Sequence, residues 1–108
     1  MEKGDIVYVN VHGEHMYVRL LKEPNTNEDG TVELTYDKSW GLQMGPALGR
    51  DGRPVMQKTI ISLSDELGTT RSTLYIPPNE ISIISELDKN GKIYTQLLSQ
   101  ATGLSLPQ

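Results

Sequence analysis

The first third of the chain alternates apolar and polar positions with the period of two that is typical of β-strands. Three segments show it: "DIVYVNV" at 5–11, "HMYVRLL" at 15–21 and "TVELTYD" at 31–37. The apolar positions that share a face are Val7, Val9 and Val11, then Met16, Val18 and Leu20, then Val32, Leu34 and Tyr36. Glycine-containing turns separate the segments. The pattern predicts an antiparallel meander of three strands.

Residues 39–57, "SWGLQMGPALGRDGRPVMQ", interrupt this alternation with four glycines and two prolines. Such a density of chain breakers predicts a long loop, and long loops in small domains are commonly functional, partner-contacting or disordered. Trp40, at its start, is expected either in the barrel core or subunit interface or in an exposed patch for a partner. A short strand is predicted at 58–64.

Two further strands, "STLYI" at 72–76 and "EISIIS" at 80–85, meet at Pro77-Pro78. Proline cannot donate a ladder hydrogen bond, so this pair predicts a rigid corner between the strands. The period then changes to that of an amphipathic helix, predicted over 89–102 and ending at Gly103. We therefore predict one domain, 1–108, with a small barrel over 4–86, an insertion at 39–57 and a C-terminal helix.

Composition narrows the function classes. The net charge of −4 argues against sequence-independent nucleic-acid binding, although basic residues gather in the middle of the chain. There is no cysteine, and the two histidines, His12 and His15, have no recognisable third ligand, so no metal site and no cofactor is predicted. No nucleophile–base order or nucleotide motif is present, so we expect no catalysis. With no long apolar segment, we expect no membrane association and a cytoplasmic location.

The order of these elements resembles the Sm-like (LSm) family, and most of all the small Sm-like proteins encoded by phages of marine bacteria. "GDIVYVNVHGEHMYVRLLKEP" with "GTVELTYD" is similar to the first conserved segment of the family, and "LYIPPNEISIIS" is similar to the second. Ile76, Ile81 and Ile84 stand at apolar positions of the second segment, and Pro77-Pro78 replace its Arg-Gly. The tail at 84–104 is similar to the C-terminal helical extension of the phage members.

The resemblance implies a mainly β fold: a small, strongly bent, five-stranded antiparallel barrel of the Sm-like, SH3-type class, here with the long 39–57 loop and the C-terminal helix. It also implies a homo-oligomeric ring of about five to seven subunits, in which the fourth strand of one protomer pairs with the fifth of the next. The candidate interface residues are Leu74, Tyr75, Ile76, Ile81 and Ile83. If the chain is phage-encoded, its location is the host cell cytoplasm.

The family's RNA site uses a loop side chain, an asparagine and the arginine of the second segment, whose positions correspond here to "PNTNEDG", Thr31 and Pro77. The candidate RNA-binding residues are Asn25, Asn27, Thr31, Pro77 and Asn79, with Arg50 and Arg53 as phosphate contacts. The leading hypothesis is a ring-forming, non-catalytic protein that binds single-stranded RNA or modulates RNA metabolism. The alternatives are an oligomeric scaffold of the same fold that has lost the RNA site and binds host or phage proteins, and a monomeric SH3-like barrel.

Overall fold

The computed structural model describes residues 1–102. Its first two strands, β1 (Ile6–Val11) and β2 (Glu14–Leu20), form a hairpin in which Val7 lies opposite Val18 and Val9 opposite Met16. His12 and Gly13 connect them, both with positive φ (54° and 79°). A two-residue turn of this kind matches the twist of the flanking strands. The predicted meander begins here as expected.

The organising element is β4 (Val32–Leu48), a strand of 17 residues. On one side its first half pairs with the two-residue β3 (Asn25–Thr26) and then with β2, where a bulge lies between Arg19 and Leu20. On its other side it pairs first with β6 (Ser72–Ile76) and then, from Trp40 onward, with β5 (Pro54–Ser62). The last strand, β7 (Ser82–Glu86), returns to pair with β1.

The fold is therefore mainly β, with one antiparallel sheet in which the path β7-β1-β2-β4-β6 runs from edge to edge. Each of the five strands of this path overlaps a segment predicted as a strand, but β4 continues past its predicted end at 37 to Leu48. The sheet is not closed into a barrel, because no ladder among the described strands joins β6 to β7. The strands correspond to the expected barrel strands, and closure of the barrel is not seen.

The predicted loop at 39–57 is wrong. Residues 39–48 continue β4, residues 54–57 begin β5, and the turn between them spans 49–53, where Gly49 N–H donates to the Arg53 carbonyl at 2.8 Å. The glycines and prolines are compatible with a ladder here because, beyond Trp40, the described strands of the hairpin pair only with each other. Pro54 opens a strand, and Pro46 lies on a two-stranded ribbon, where a missing donor is tolerated.

Two apolar clusters hold the sheet. The first lies on the inner face and is built from Val7, Val9, Val18, Leu20, Leu34 and Ile76. The second joins Ile6, Trp40 and Leu97, with Tyr17, Ile60, Leu87, Tyr94 and Ala101 packed around them. Trp40 is 1% exposed, so the expectation that placed it in the core is the correct one.

Two helices complete the fold. A short α1 (Leu63–Leu67) replaces part of the turn expected after β5. It is capped by the Ser62 side chain, which accepts from Asp65 N–H, and by Gly68 at φ 69°. The predicted C-terminal helix is present as α2 (Lys92–Thr102), three residues shorter at its start than expected. It is anchored by the fully buried Leu97. Its predicted end at Gly103 lies outside the described residues.

Candidate functional site

Five of the seven candidate RNA-binding residues gather at one end of the sheet, which we call the corner: the turn 25–31 and the β6–β7 connection 77–81. The two segments touch at Gly30 and Pro78. A Cβ on Gly30 would lie 3.0 Å from the Pro78 Cβ, and Gly30 has φ +88°, so a glycine is required there on both counts. The corner is a packed unit formed by residues about 50 positions apart in the chain.

The asparagines of the turn 25–31 are held by internal hydrogen bonds. The Asn25 side-chain amide donates to Asn27 Oδ1 at 3.0 Å, and Asn27 Nδ2 donates to Glu33 Oε1 at 3.0 Å. The Asn27 backbone N–H donates to the Thr31 carbonyl at 2.8 Å. Asn27 is therefore a structural residue of the turn, while Asn25 is exposed.

The connection 77–81 is a tight turn in which Glu80 N–H donates to the Pro77 carbonyl at 3.1 Å. Pro77 and Asn79 are exposed. The β1–β2 turn packs beside it, because His12 N–H donates to the Ile81 carbonyl at 3.1 Å and His12 Nε2 contacts Glu80 Oε2. The left-handed backbone of His12 is thus stabilised by contacts with the corner.

The corner is electrostatically acidic. Glu28 and Asp29 lie in its turn, Glu33 bonds Asn27, and Glu80 lies in the β6–β7 connection. The Thr31 N–H donates to Asp29 Oδ1 at 2.9 Å, which holds the pKa of that carboxyl below its usual value and keeps it ionised. None of the five candidate residues here carries a positive charge, so the corner repels the phosphates of a nucleic acid.

Arg50 and Arg53, predicted as phosphate contacts, are not part of the corner. They lie at the turn of the β4–β5 hairpin, at the opposite end of β4 from Val32. Asp51 accepts from the Arg53 backbone N–H at 3.0 Å, and its other oxygen lies 3.5 Å from Arg53 Nε, so one of the two guanidinium charges already has an acidic neighbour. A single nucleotide cannot contact both groups of candidates.

The candidate interface residues lie along the two outer edges of the sheet. Each edge strand has one neighbour: β6 pairs with β4 and β7 with β1. Leu74 and Ile76 pack in the inner cluster, whereas Tyr75, Ile81 and Ile83 are exposed, Ile81 at 81%. The corner therefore joins two open edges, and both edges are flanked by exposed apolar side chains.

The two histidines have ordinary polar neighbours. Tyr8 Oη and His15 Nδ1 lie 3.3 Å apart, and His12 contacts Glu80 as described. Among residues 1–102 no group of three or more His, Asp or Glu side chains is placed to hold a metal ion. In that same part of the chain, no helix has both the length and the apolar character needed to cross a membrane.

Sequence reasoning missed two features. One is the role of Glu33 in fixing Asn27, which no spacing rule indicates. The other is an apolar face on the β4–β5 hairpin, whose signal was present as the alternation Leu42, Met44, Pro46, Leu48 before the turn residues Asp51-Gly52.

The comparison with known proteins finds no matching family model, no matching curated protein and no matching solved structure.

Proposed function

We propose that the chain assembles into a homo-oligomeric Sm-like ring and works as a non-catalytic scaffold for protein partners. The observation that supports this is the pair of open edges, β6 and β7, separated by only five residues of chain. Unpaired strand edges are templates for pairing with another chain, and natural proteins leave them uncovered where a partner completes the ladder. If β6 of each copy pairs with β7 of the next, the contact is head-to-tail and closes into a ring.

The side chains beside these edges support the same assignment. Tyr75 projects from β6, Ile83 from β7 and Ile81 from the corner, all exposed in the single chain. Aromatic and β-branched side chains on paired strands stabilise a ladder through cross-strand contacts. Ring closure covers these apolar groups together with the backbone groups of both edges.

The acidic corner supports the scaffold hypothesis over the RNA-binding hypothesis. Single-stranded RNA recognition needs aromatic or guanidinium stacking surfaces and basic side chains along the backbone. At the corner, the position of the family arginine is Pro77, the amide of Asn27 is engaged by Glu33, and the surrounding charges are negative. Asn25 and Asn79 remain as exposed amides, which keeps RNA binding as the second candidate.

The ring is tested by native mass in solution. We expect a closed assembly of about five to seven subunits for the unmodified chain. In the variant Tyr75→Glu/Ile83→Glu, acidic side chains on both edges face each other across the contact and should shift the mass to the monomer. Leu67→Glu is the matched control, since Leu67 is an exposed apolar residue (74%) on α1 and belongs to neither edge strand.

A monomer at high concentration for the unmodified chain would refute the ring. The scaffold and RNA hypotheses are separated by short U-rich and A-rich RNA at defined salt. Affinity weaker than tens of micromolar for every sequence, with protein partners retained after nuclease treatment, supports the scaffold. Micromolar or tighter RNA binding that is lost in Asn25→Ala or Asn79→Ala would establish the second candidate instead.

A further inference from the structure

The β4–β5 hairpin projects from the sheet as an arm, defined here as residues 41–61. Beyond Trp40 the strand β4 has no ladder to β2, and its described pairing is with β5 alone, from Gly41↔Ile61 to Leu48↔Pro54. Seven residue steps of strand give an arm about 23 Å long. The molecule measures 56 × 29 × 28 Å, and its radius of gyration of 15.6 Å exceeds the roughly 13 Å expected for a compact chain of this length.

One face of the arm is mainly apolar, with a single charged position, Lys58, which lies opposite Met44 in the register. Residues directly opposite each other share a face, and the register pairs Leu42 with Ile60, Pro46 with Met56, and Leu48 with Pro54. Met44 belongs to the same face by alternation. Three of these side chains are largely exposed: Met44 at 51%, Met56 at 64% and Leu48 at 79%. The opposite face is more mixed and carries Gly41, Gln43, Gly45, Ala47, Val55, Gln57, Thr59 and Ile61.

A free two-stranded ribbon is marginally stable in water, and a contiguous exposed apolar face of this kind is characteristic of an interaction site. The charge of the arm indicates what covers it. The arm contains three basic residues and one acidic residue, while the rest of the chain contains seven basic and thirteen acidic residues. The arm is thus electrostatically complementary to the body of its own kind of chain.

The part of the chain outside the arm also has a largely apolar cavity that can accept apolar side chains of the arm. An open cavity of about 410 Å³ lies on the inner side of the β1–β2 hairpin, lined mainly by Val9, Val11, Met16, Leu63 and Leu74, with Glu14, His12 and His15 also lining it. Its volume is sufficient for a few apolar side chains. Leu63 directly follows β5, so the cavity lies near the root of the arm, and the tip of the same arm is about 20 Å further along the ribbon. A tip that fills this cavity must come from another copy.

We propose that the apolar face of the arm packs against a second copy of this chain, with Leu48 and Met56 occupying the cavity beside Glu14. Each copy then both donates an arm and receives one, either reciprocally in a two-fold dimer or head-to-tail in a ring. The arm contact is separate from pairing of the β6 and β7 edges, and it holds whether or not those edges form a ring.

The decisive experiment is disulfide trapping, for which the chain is suited because it contains no cysteine. Full-length Glu14→Cys and Leu48→Cys are mixed, oxidised and separated by mass, with one of the two carrying a small mass tag. The control mixture replaces Leu48→Cys by Leu67→Cys, which offers a similarly exposed position (74%) outside the arm. We expect several-fold more mixed disulfide from the arm pair than from the control pair. Equal yields would overturn the proposal.

A second variant keeps the test independent of cysteine chemistry. Met44→Thr/Leu48→Thr/Met56→Thr retains strand-forming residues on the arm but removes its apolar face, and Val55→Thr is the control on the opposite face. We expect the triple variant to lower the self-association constant by on the order of 10–100-fold, and the control to lower it by less than about threefold. Unchanged association of the triple variant would refute the arm contact.

The two proposals fail in different ways. If Tyr75→Glu/Ile83→Glu abolishes the ring while the Glu14–Leu48 disulfide still forms, the arm contact stands without depending on the edges. If a closed ring forms and tolerates the triple arm variant, and no arm disulfide is trapped, the edge pairing stands and the arm proposal is overturned. A monomer that gives no disulfide above the control overturns both.

Discussion

The contact between Gly30 and Pro78 yields the sharpest prediction about the corner, because Gly30→Ala adds one methyl group at a place where the structure defines its neighbours. The new Cβ would lie 3.0 Å from the Pro78 Cβ and 3.4 Å from its Cγ, both in a rigid ring. Its backbone φ of +88° is also unfavourable for any residue with a Cβ. Both effects destabilise the folded chain.

The expected loss of stability is the sum of a backbone cost and a packing cost. A non-glycine residue at positive φ costs about 1–2 kcal/mol. Overpacking against a group that cannot rotate away costs about 1–3 kcal/mol more. Gly4 has the same φ of +88°, and a Cβ there meets nothing within 4 Å, so Gly4→Ala isolates the backbone part. We therefore expect Gly30→Ala to lower the free energy of unfolding by about 2–5 kcal/mol and Gly4→Ala by about 1–2 kcal/mol.

The assay is urea unfolding of Gly30→Ala and Gly4→Ala. The cycle is completed by Pro78→Gly, which removes the opposing ring carbons, and by the double variant Gly30→Ala/Pro78→Gly. In this double-mutant cycle the effects of Pro78→Gly on the unfolded chain cancel, so the coupling reports the contact itself. We expect the cost of Gly30→Ala to fall to that of Gly4→Ala in the Pro78→Gly background. Equal costs in both backgrounds would show that the turn 25–31 and the β6–β7 connection do not pack as described.

Two further changes test the rest of the fold. Leu97→Ala should lower the free energy of unfolding by about 2–5 kcal/mol and undock α2, because Leu97 is fully buried against Trp40. Ile93→Ala, on the exposed side of α2, should cost less than about 1 kcal/mol. Protection of the α2 amides in hydrogen exchange reports the effect of both variants. Asp37→Asn should cost about 1–3 kcal/mol at pH 7, because Arg19 binds both Asp37 oxygens at 2.9 and 2.5 Å and thereby lowers the pKa of Asp37. Since that pKa is lowered on folding, the stabilisation is complete above about pH 5 and is lost as the pH falls below about 3.9, so unfolding curves of Asp37→Asn and the unmodified chain should converge in acid. A stability difference that does not begin to shrink as the pH falls from about 5 towards the lowered pKa of Asp37 would contradict the ionic origin of the stabilisation.

Alternation of apolar and polar residues in the sequence predicts those strands whose two faces lie in different environments. Val7, Val9 and Val18 alternate with polar residues because one face of the meander packs in the core and the other meets α2 or solvent. The position of Trp40 illustrates the limit, since its burial depends on Ile6 and Leu97, which come from opposite ends of the chain. No local pattern encodes such a contact, so the sequence leaves two locations for that side chain.

The arm was missed for a physical reason that also bears on the candidate site. Glycine and proline indicate loops because they weaken strands that must form two ladders, but each arm strand forms one ladder, with its partner in the same hairpin. The predicted RNA-binding set was divided for the same reason. Arg50 and Arg53 fall in the segment predicted as a loop, and the ladder holds them at the far end of β4 from the asparagines.

The long strand β4 separates opposite charges along the molecule. At its start lie Glu28, Asp29 and Glu33 of the corner, and at its end the arm turn carries Arg50 and Arg53. Two copies placed head-to-tail bring the basic tip of one towards acidic groups of the other, while two copies placed head-to-head oppose like charges. This asymmetry disfavours parallel pairs of copies and is compatible with both an antiparallel two-fold dimer and a head-to-tail ring. The negative charge that argues against RNA binding at the corner therefore also supports the proposed self-association, because it attracts the basic arm tip of another copy.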